Sequence, residues 1–190
     1  MGAELSSLKD AEGTEYLWQG NPDYWSGQAP VLFPIVGCLR NGTASVSGDK
    51  TCSFGRHGIA RRKEFTLISG TDTKAVFSLK ADEGTKEQYP FDFELQMTYE
   101  LDGRKLKITH TVINHDSVPM PFCVGGHPAF NCPISEGEDF EDYVVEFEYP
   151  ETADCALLNE DALIDNGNRV SILKDSSTLP VKHEMFYNDA

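Results

Sequence analysis

Positive charge is scarce in this chain. Sixteen lysines and arginines stand against 31 aspartates and glutamates, a formal net charge of −15 over 190 residues. A field of that sign repels phosphate backbones and anionic lipid heads, so neither nucleic acid nor a membrane surface is an expected partner. It leaves room for a small neutral ligand, or for a small anion held by a local arginine cluster. No apolar run approaches the roughly 20 residues that cross a bilayer, and no signal-peptide hydrophobic region stands near Met1. The cysteines are few: Cys38, Cys52, Cys123, Cys132 and Cys155, odd in number and without a C-x-x-C pair. Neither a disulfide framework nor a zinc ribbon is therefore suggested, and a reducing cytoplasm is the expected compartment. A G-x-S-x-G elbow, glycine-rich phosphate loops and a His-x-His pair are also missing. Their absence turns the expectation away from serine hydrolysis, nucleotide binding and metal chemistry, with neither cofactor nor metal foreseen. Cys132 near His127 offers only a weak thiol nucleophile, without a local signature.

What is present is strand-like. Hydrophobic residues make up 39% of the chain and aromatic residues 11%, enough for a folded core in a single domain over residues 1–190. No helical periodicity is sustained anywhere. Alternation predicts strands over 2–9, 14–19, 64–79, 88–101 and 143–149, with a return strand through Leu106, Ile108 and Val112. Asp102-Gly103 between two alternating runs is a strong hairpin signal. Pro30 and Pro34 bracket the apolar run Val31-Leu32-Phe33 and demote it from a regular central strand. The expected class is all-β, a sandwich or barrel.

Two of the five histidines stand apart. His127 lies in Gly125-Gly126-His127-Pro128-Ala129-Phe130, and His57 lies in Gly55-Arg56-His57-Gly58. Glycine lets a backbone or ligand approach closely, and proline fixes φ, so each imidazole sits on a shaped loop. With a solution pKa of about 6.5, imidazole can give or take a proton near neutrality. Each could equally be a satisfied structural histidine. His110 shares the parity of Ile108 and Val112 and is expected in the core or facing a cleft; His115 belongs to a solvated turn, and His183 is ambiguous. Proton-transfer chemistry on a neutral polyol, using His127, His57, Arg40 and a carboxylate, is the reading left standing. Tyr24 and Trp25 would suit the face of a sugar, though either could be a core aromatic.

In order along the chain, Gly2-Ala3-Glu4-Leu5, Glu15-Tyr16-Leu17-Trp18, Pro30 to Gly37, Arg40-Asn41-Gly42, His57-Gly58-Ile59-Ala60-Arg61 and Gly126-His127-Pro128-Ala129-Phe130 resemble the aldose 1-epimerase (galactose mutarotase-like) family. The resemblance is closest to its bacterial branch of uncertain sugar specificity. It implies a large antiparallel β-sandwich that binds a monosaccharide and interconverts α and β anomers without cofactor or metal. It also implies roles: His127 as general acid, His57 as the second active-site histidine, Arg40 as a sugar-binding arginine and Asp189 as a ligand of sugar hydroxyls. The family's general base, a glutamate in the last third, has no match here. The chain is accordingly expected to be an internal segment, a partial domain lacking the first strand and the last third. Three readings stay open: a mutarotase of free hexoses, one of hexose 6-phosphates with Arg56, Arg61 and Arg62 at the rim, or a carbohydrate-binding domain without catalysis. A structural or interaction protein is the fallback.

Overall fold

The computed structural model describes residues 1–187, so Asp189 lies outside the described residues. The chain divides into two compact units, one of Met1–Ser6 with Gln19–Ala129 and one of Ser7–Trp18 with Phe130–Ala190. The paired strands within each are antiparallel.

The first unit is built on a four-stranded meander of β4 (Thr66–Gly70), β5 (Lys74–Lys80), β6 (Phe93–Asp102) and β7 (Lys105–Asn114), paired in that order. Strand β6 sends Phe93, Leu95 and Met97 to one face, and all three are buried. Period-2 alternation demands this placement once one face is covered. Phe33, Tyr89, Phe91, Ile59 and Met120 complete that core, with the Phe33 and Phe93 rings 5.1 Å apart. Burial raises the Tyr89 phenol well above its usual range, and its hydroxyl donates to the Pro121 carbonyl oxygen at 2.8 Å.

The β6–β7 hairpin forms where expected. Asp102 pairs with Lys105, so the two-residue loop is Gly103-Arg104, one residue later than the Asp102-Gly103 signal, and Gly103 supplies the positive φ. The strand predicted over 88–101 begins only at Phe93. Pro90 has no N–H to give a ladder, and Tyr89 and Phe91 pack into the core as loop residues that follow the short helix α1 (Glu83–Lys86). Helix α1 is capped by Asp82, which accepts from Thr85 N at 2.6 Å. Between the two prolines only β1 (Val31–Leu32) is regular; it pairs with β8 (Gly125–Gly126). Strands β2 (Thr43–Ser45) and β3 (Thr51–Ser53) form a small separate ladder.

In the second unit, β9 (Val144–Leu158) and β10 (Ile164–Pro180) form one long hairpin with four register shifts, extending the strand predicted over 143–149. The strands expected over 2–9 and 14–19 do not form. In the second unit Glu15 makes a lone bridge with Lys9, and Leu17 one with Phe130. The physical reason is local: Glu15 Oε1 accepts from Leu8 N at 2.8 Å and from Leu17 N at 3.0 Å, taking backbone donors a neighbouring strand would need. His183 stacks on Phe140 at 4.5 Å.

His110, opposite Met97 on β7, is half-buried, and burial holds its pKa below the ordinary imidazole value. The sign follows from linkage. As pH falls below about 6.5 the unfolded chain takes up the proton before the folded one, so His110 contributes stability above that pH and loses it on acidification. Urea unfolding at pH 7.5 and pH 5.5 should therefore show a smaller acid loss for His110→Gln than for the parent chain.

Candidate functional site

The two glycine-flanked histidines belong to the first unit and meet there. Two short backbone contacts bring them together. On one side, Gly58 lies against Phe33 through a single parallel bridge, and Ile59 N and Ala60 N both donate to the Phe33 carbonyl oxygen, at 2.8 and 3.2 Å. A Cβ on Gly58 would stand 2.3 Å from that oxygen, and its φ is +71°. Only glycine fits. The approach fixes His57 just before it, itself at φ +67°, a conformation non-glycine residues hold only under constraint. His57 N donates to Gly37 O at 2.9 Å, and Nδ1 contacts the Val36 carbonyl oxygen. A carbonyl can only accept, so Nδ1 carries the hydrogen and the neutral ring keeps its lone pair on Nε2.

On the other side, β8 delivers His127. Gly126 pairs with Val31, His127 N donates to Pro30 O at 3.1 Å, and Ala129 N donates to Gln28 O at 2.9 Å. The His127 ring lies 5.7 Å from the His57 ring and 5.1 Å from Trp25, tilted to both. His127 is exposed while His57 and Trp25 are half-buried. Among the described residues, no hydrogen-bond partner meets the His127 ring nitrogens. The imidazole is thus oriented by its backbone and its aromatic neighbours, with its nitrogens open to a ligand.

Trp25 rests on Gly27. A Cβ there would fall 2.4 Å from the indole Cζ2 atom. The ring gives the pair an apolar wall of the kind that stacks on the C–H face of a pyranose. Gly27→Ala should displace this ring at little cost to folding, weakening sugar binding several-fold. Comparing the sugar dissociation constant with the urea midpoint separates the two effects.

Of the residues singled out from the sequence, the structure therefore brings His57, His127 and Trp25 together. Arg40 is exposed in a 3-10 turn over Arg40–Gly42, where Asn41 takes φ +56°. Tyr24 is 83% exposed. Two carboxylates of the first unit are engaged elsewhere: Glu94 is held by Ser78, Gln96, Lys80 and His115, and its pKa is lowered chiefly by the Gln96 and Ser78 hydrogen bonds. Glu4 accepts from Ala29 N at 3.1 Å. In the second unit, burial pushes the Cys132 thiol up, against the thiolate a nucleophile needs. Among the described residues no cluster of three or more histidine, cysteine, aspartate or glutamate side chains is placed to hold a metal. The carbonyl of Val36 and the shelf at Gly27 have no legible sequence signal, because the first is backbone and the second depends on a side chain two residues away.

The aldose 1-epimerase family model matches residues 1–178. The plasmid-borne protein LacX of Lactococcus lactis subsp. lactis is 39% identical over the whole chain, which covers 66% of LacX. The chain thus spans just under two thirds of the length of the curated relatives it matches. A galactose mutarotase related enzyme of Lactobacillus acidophilus superposes with a TM-score of 0.90 at 38% identity, over 99% of this chain and 62% of that one. A galactose mutarotase-like protein of Lactobacillus casei ATCC 334 gives 0.86 at 31% identity, over 98% of this chain and 64% of that one. The all-β fold expected from the sequence is the fold of these proteins, and the chain belongs to the aldose 1-epimerase family.

Proposed function

We propose that this chain carries the sugar-facing part of a cytoplasmic mutarotase, a partial mutarotase-like sandwich domain that interconverts the α and β anomers of a free hexose. The observation that carries the reading is the His57–His127 ring pair at 5.7 Å with Trp25 against His127. Mutarotation requires a proton to leave the anomeric hydroxyl as another reaches the ring oxygen. The C1–O5 bond then breaks, the C1–C2 bond rotates, and O5 attacks the C1 aldehyde from its other face, giving up its proton as the C1 oxygen takes one, so that the C1–O5 bond re-forms with the opposite configuration at C1. His127, exposed and oriented, is the general acid toward the ring oxygen. His57, whose Nε2 is left as the free lone pair, helps hold the ring-oxygen region. Arg40 and Asp189 bind sugar hydroxyls. We assign no residue of this chain to the base.

Saturation-transfer NMR of anomeric exchange, with the folded 190-residue chain and glucose or galactose, tests the proposal. Exchange above the buffer rate is expected. Saturable sugar binding with no gain in exchange would instead favour the second reading, a carbohydrate-binding domain without catalysis.

A further inference from the structure

Both histidine loops hang on one extended segment, residues 28–33. The backbone groups of successive residues in an extended chain point to opposite edges. On one edge, Gln28 O and Pro30 O take Ala129 N and His127 N, at 2.9 and 3.1 Å. On the other edge, Phe33 O takes Ile59 N and Ala60 N and so anchors the His57 loop. By the same parity Ala29 faces this second edge, and what meets it there is a side chain. Glu4 Oε2 accepts from Ala29 N at 3.1 Å. Ala29 is buried, so without the carboxylate its N–H would be left unmet away from water, which is costly.

Residues 2–6 are shaped to deliver that carboxylate. Gly2 takes φ +70° and Ala3 φ +46°, two successive left-handed residues that turn the chain tightly just before Glu4. A Cβ on Gly2 would stand 2.9 Å from the Arg61 carbonyl oxygen, and Gly2 N donates to Lys63 O at 2.8 Å. Tyr99 OH donates to Ala3 O at 2.6 Å. Burial, with the Glu4 carboxylate close by, pushes the Tyr99 phenol up to about 12. On the far side of Glu4, Ser6 O takes Gln28 Nε2 at 2.9 Å and Gln19 Nε2 at 3.2 Å. Glu4 is therefore anchored before and after, and its side chain stands where a neighbouring strand would supply an acceptor. The stake is geometric: displacing a reacting group by about 1 Å can cost about 10²-fold in rate.

We propose that Glu4 is a positioning residue for His127: its carboxylate clamps segment 28–33 at Ala29, and the opposite edge of that segment sets the histidine in place. Glu4 acts through the backbone and touches no reacting atom. Its effect on rate rests on the mutarotase reading; its effect on the backbone does not.

Amide hydrogen exchange and saturation-transfer NMR test it on the parent chain and on Glu4→Ala, Glu4→Asp and Glu4→Gln. Aspartate keeps the charge but is one methylene short of Ala29 N; glutamine drops the charge and keeps an acceptor oxygen at the same reach. The His127 and Ala129 amides are expected to exchange about tenfold faster or more in Glu4→Ala and Glu4→Asp, and near the parent rate in Glu4→Gln. The β6–β7 amides should keep their protection throughout. In the same two variants kcat for anomer exchange should fall about tenfold at a sugar KM changed less than about twofold, and glutamine should restore it. Unchanged His127 and Ala129 exchange in Glu4→Asp overturns the proposal. So does a loss in Glu4→Gln as large as in Glu4→Ala, because charge and not reach would then be at work. A loss shared equally by the β6–β7 amides also overturns it, since a merely structural residue would give that result. Should Glu4→Ala fail to fold, the other two variants decide. A parent chain without anomer exchange sinks the mutarotase reading alone, and amide exchange still judges the clamp.

Discussion

Gly58→Ala is expected to destabilise the protein by about 3 kcal/mol, from left-handed strain and forced overpacking together. The geometry gives two separable terms. At φ +71° an alanine meets the left-handed penalty, and its Cβ meets the Phe33 carbonyl oxygen at 2.3 Å, which is backbone and cannot swing aside. Gly42 isolates the first term: it has φ +70°, but a methyl group there would meet nothing within 4 Å. Gly42→Ala should cost only about 1 kcal/mol. Urea unfolding of the two variants measures the difference. An equal cost at both positions would mean that the Gly58–Phe33 approach is not tight, and that His57 is held by something else. Because Gly58 directly follows His57, its replacement should also lower any activity of the folded fraction.

His127→Asn is expected to reduce the rate of anomer exchange by about 10²–10⁴-fold, the usual contribution of a positioned proton donor. Asparagine keeps a polar side chain on the same backbone but has no titratable nitrogen. His127 is exposed, and the ring contacts it makes among the described residues are with Trp25 and His57, so thermal unfolding should hardly move. The companion variant His57→Asn is unusually clean. Asparagine tolerates the left-handed backbone that His57 adopts at φ +67°, and its amide can still donate toward the Val36 carbonyl. A β-branched residue there would add strain and confuse loss of the ring with loss of the loop. Saturation transfer on both variants reads the result. An unchanged rate in His127→Asn would remove it as the acid.

The parts of this molecule written in local chemistry were legible, and those written in long-range backbone contacts were not. The β6–β7 hairpin follows from alternation and a glycine, and the sequence missed its loop by one residue only because Asp102 still pairs. The alternation of Tyr89 and Phe91 continues that of β6, so parity alone extended the strand across Pro90; the core claimed both rings without the ladder. Glu15 looks like a strand residue until its carboxylate is seen folding back on Leu8 N and Leu17 N. At the site, glycine flanks marked His57 and His127, and an aromatic pair drew notice to Trp25. Their meeting required Phe33 to contact Gly58 and Val31 to pair with Gly126, contacts spanning 25 and 95 residues by subtraction of those positions. Arg40 was picked by its motif, and it lies exposed in the 3-10 turn over Arg40–Gly42.

The most direct measurement is a galactose and glucose titration of the ¹⁵N-labelled chain, following the Trp25 indole N–H, the His57 and His127 ring nitrogens, and the backbone amides. The sugar site requires these three side chains to shift together along one saturable curve. Saturable binding that moves other residues and leaves Trp25 and both histidines unshifted would contradict it.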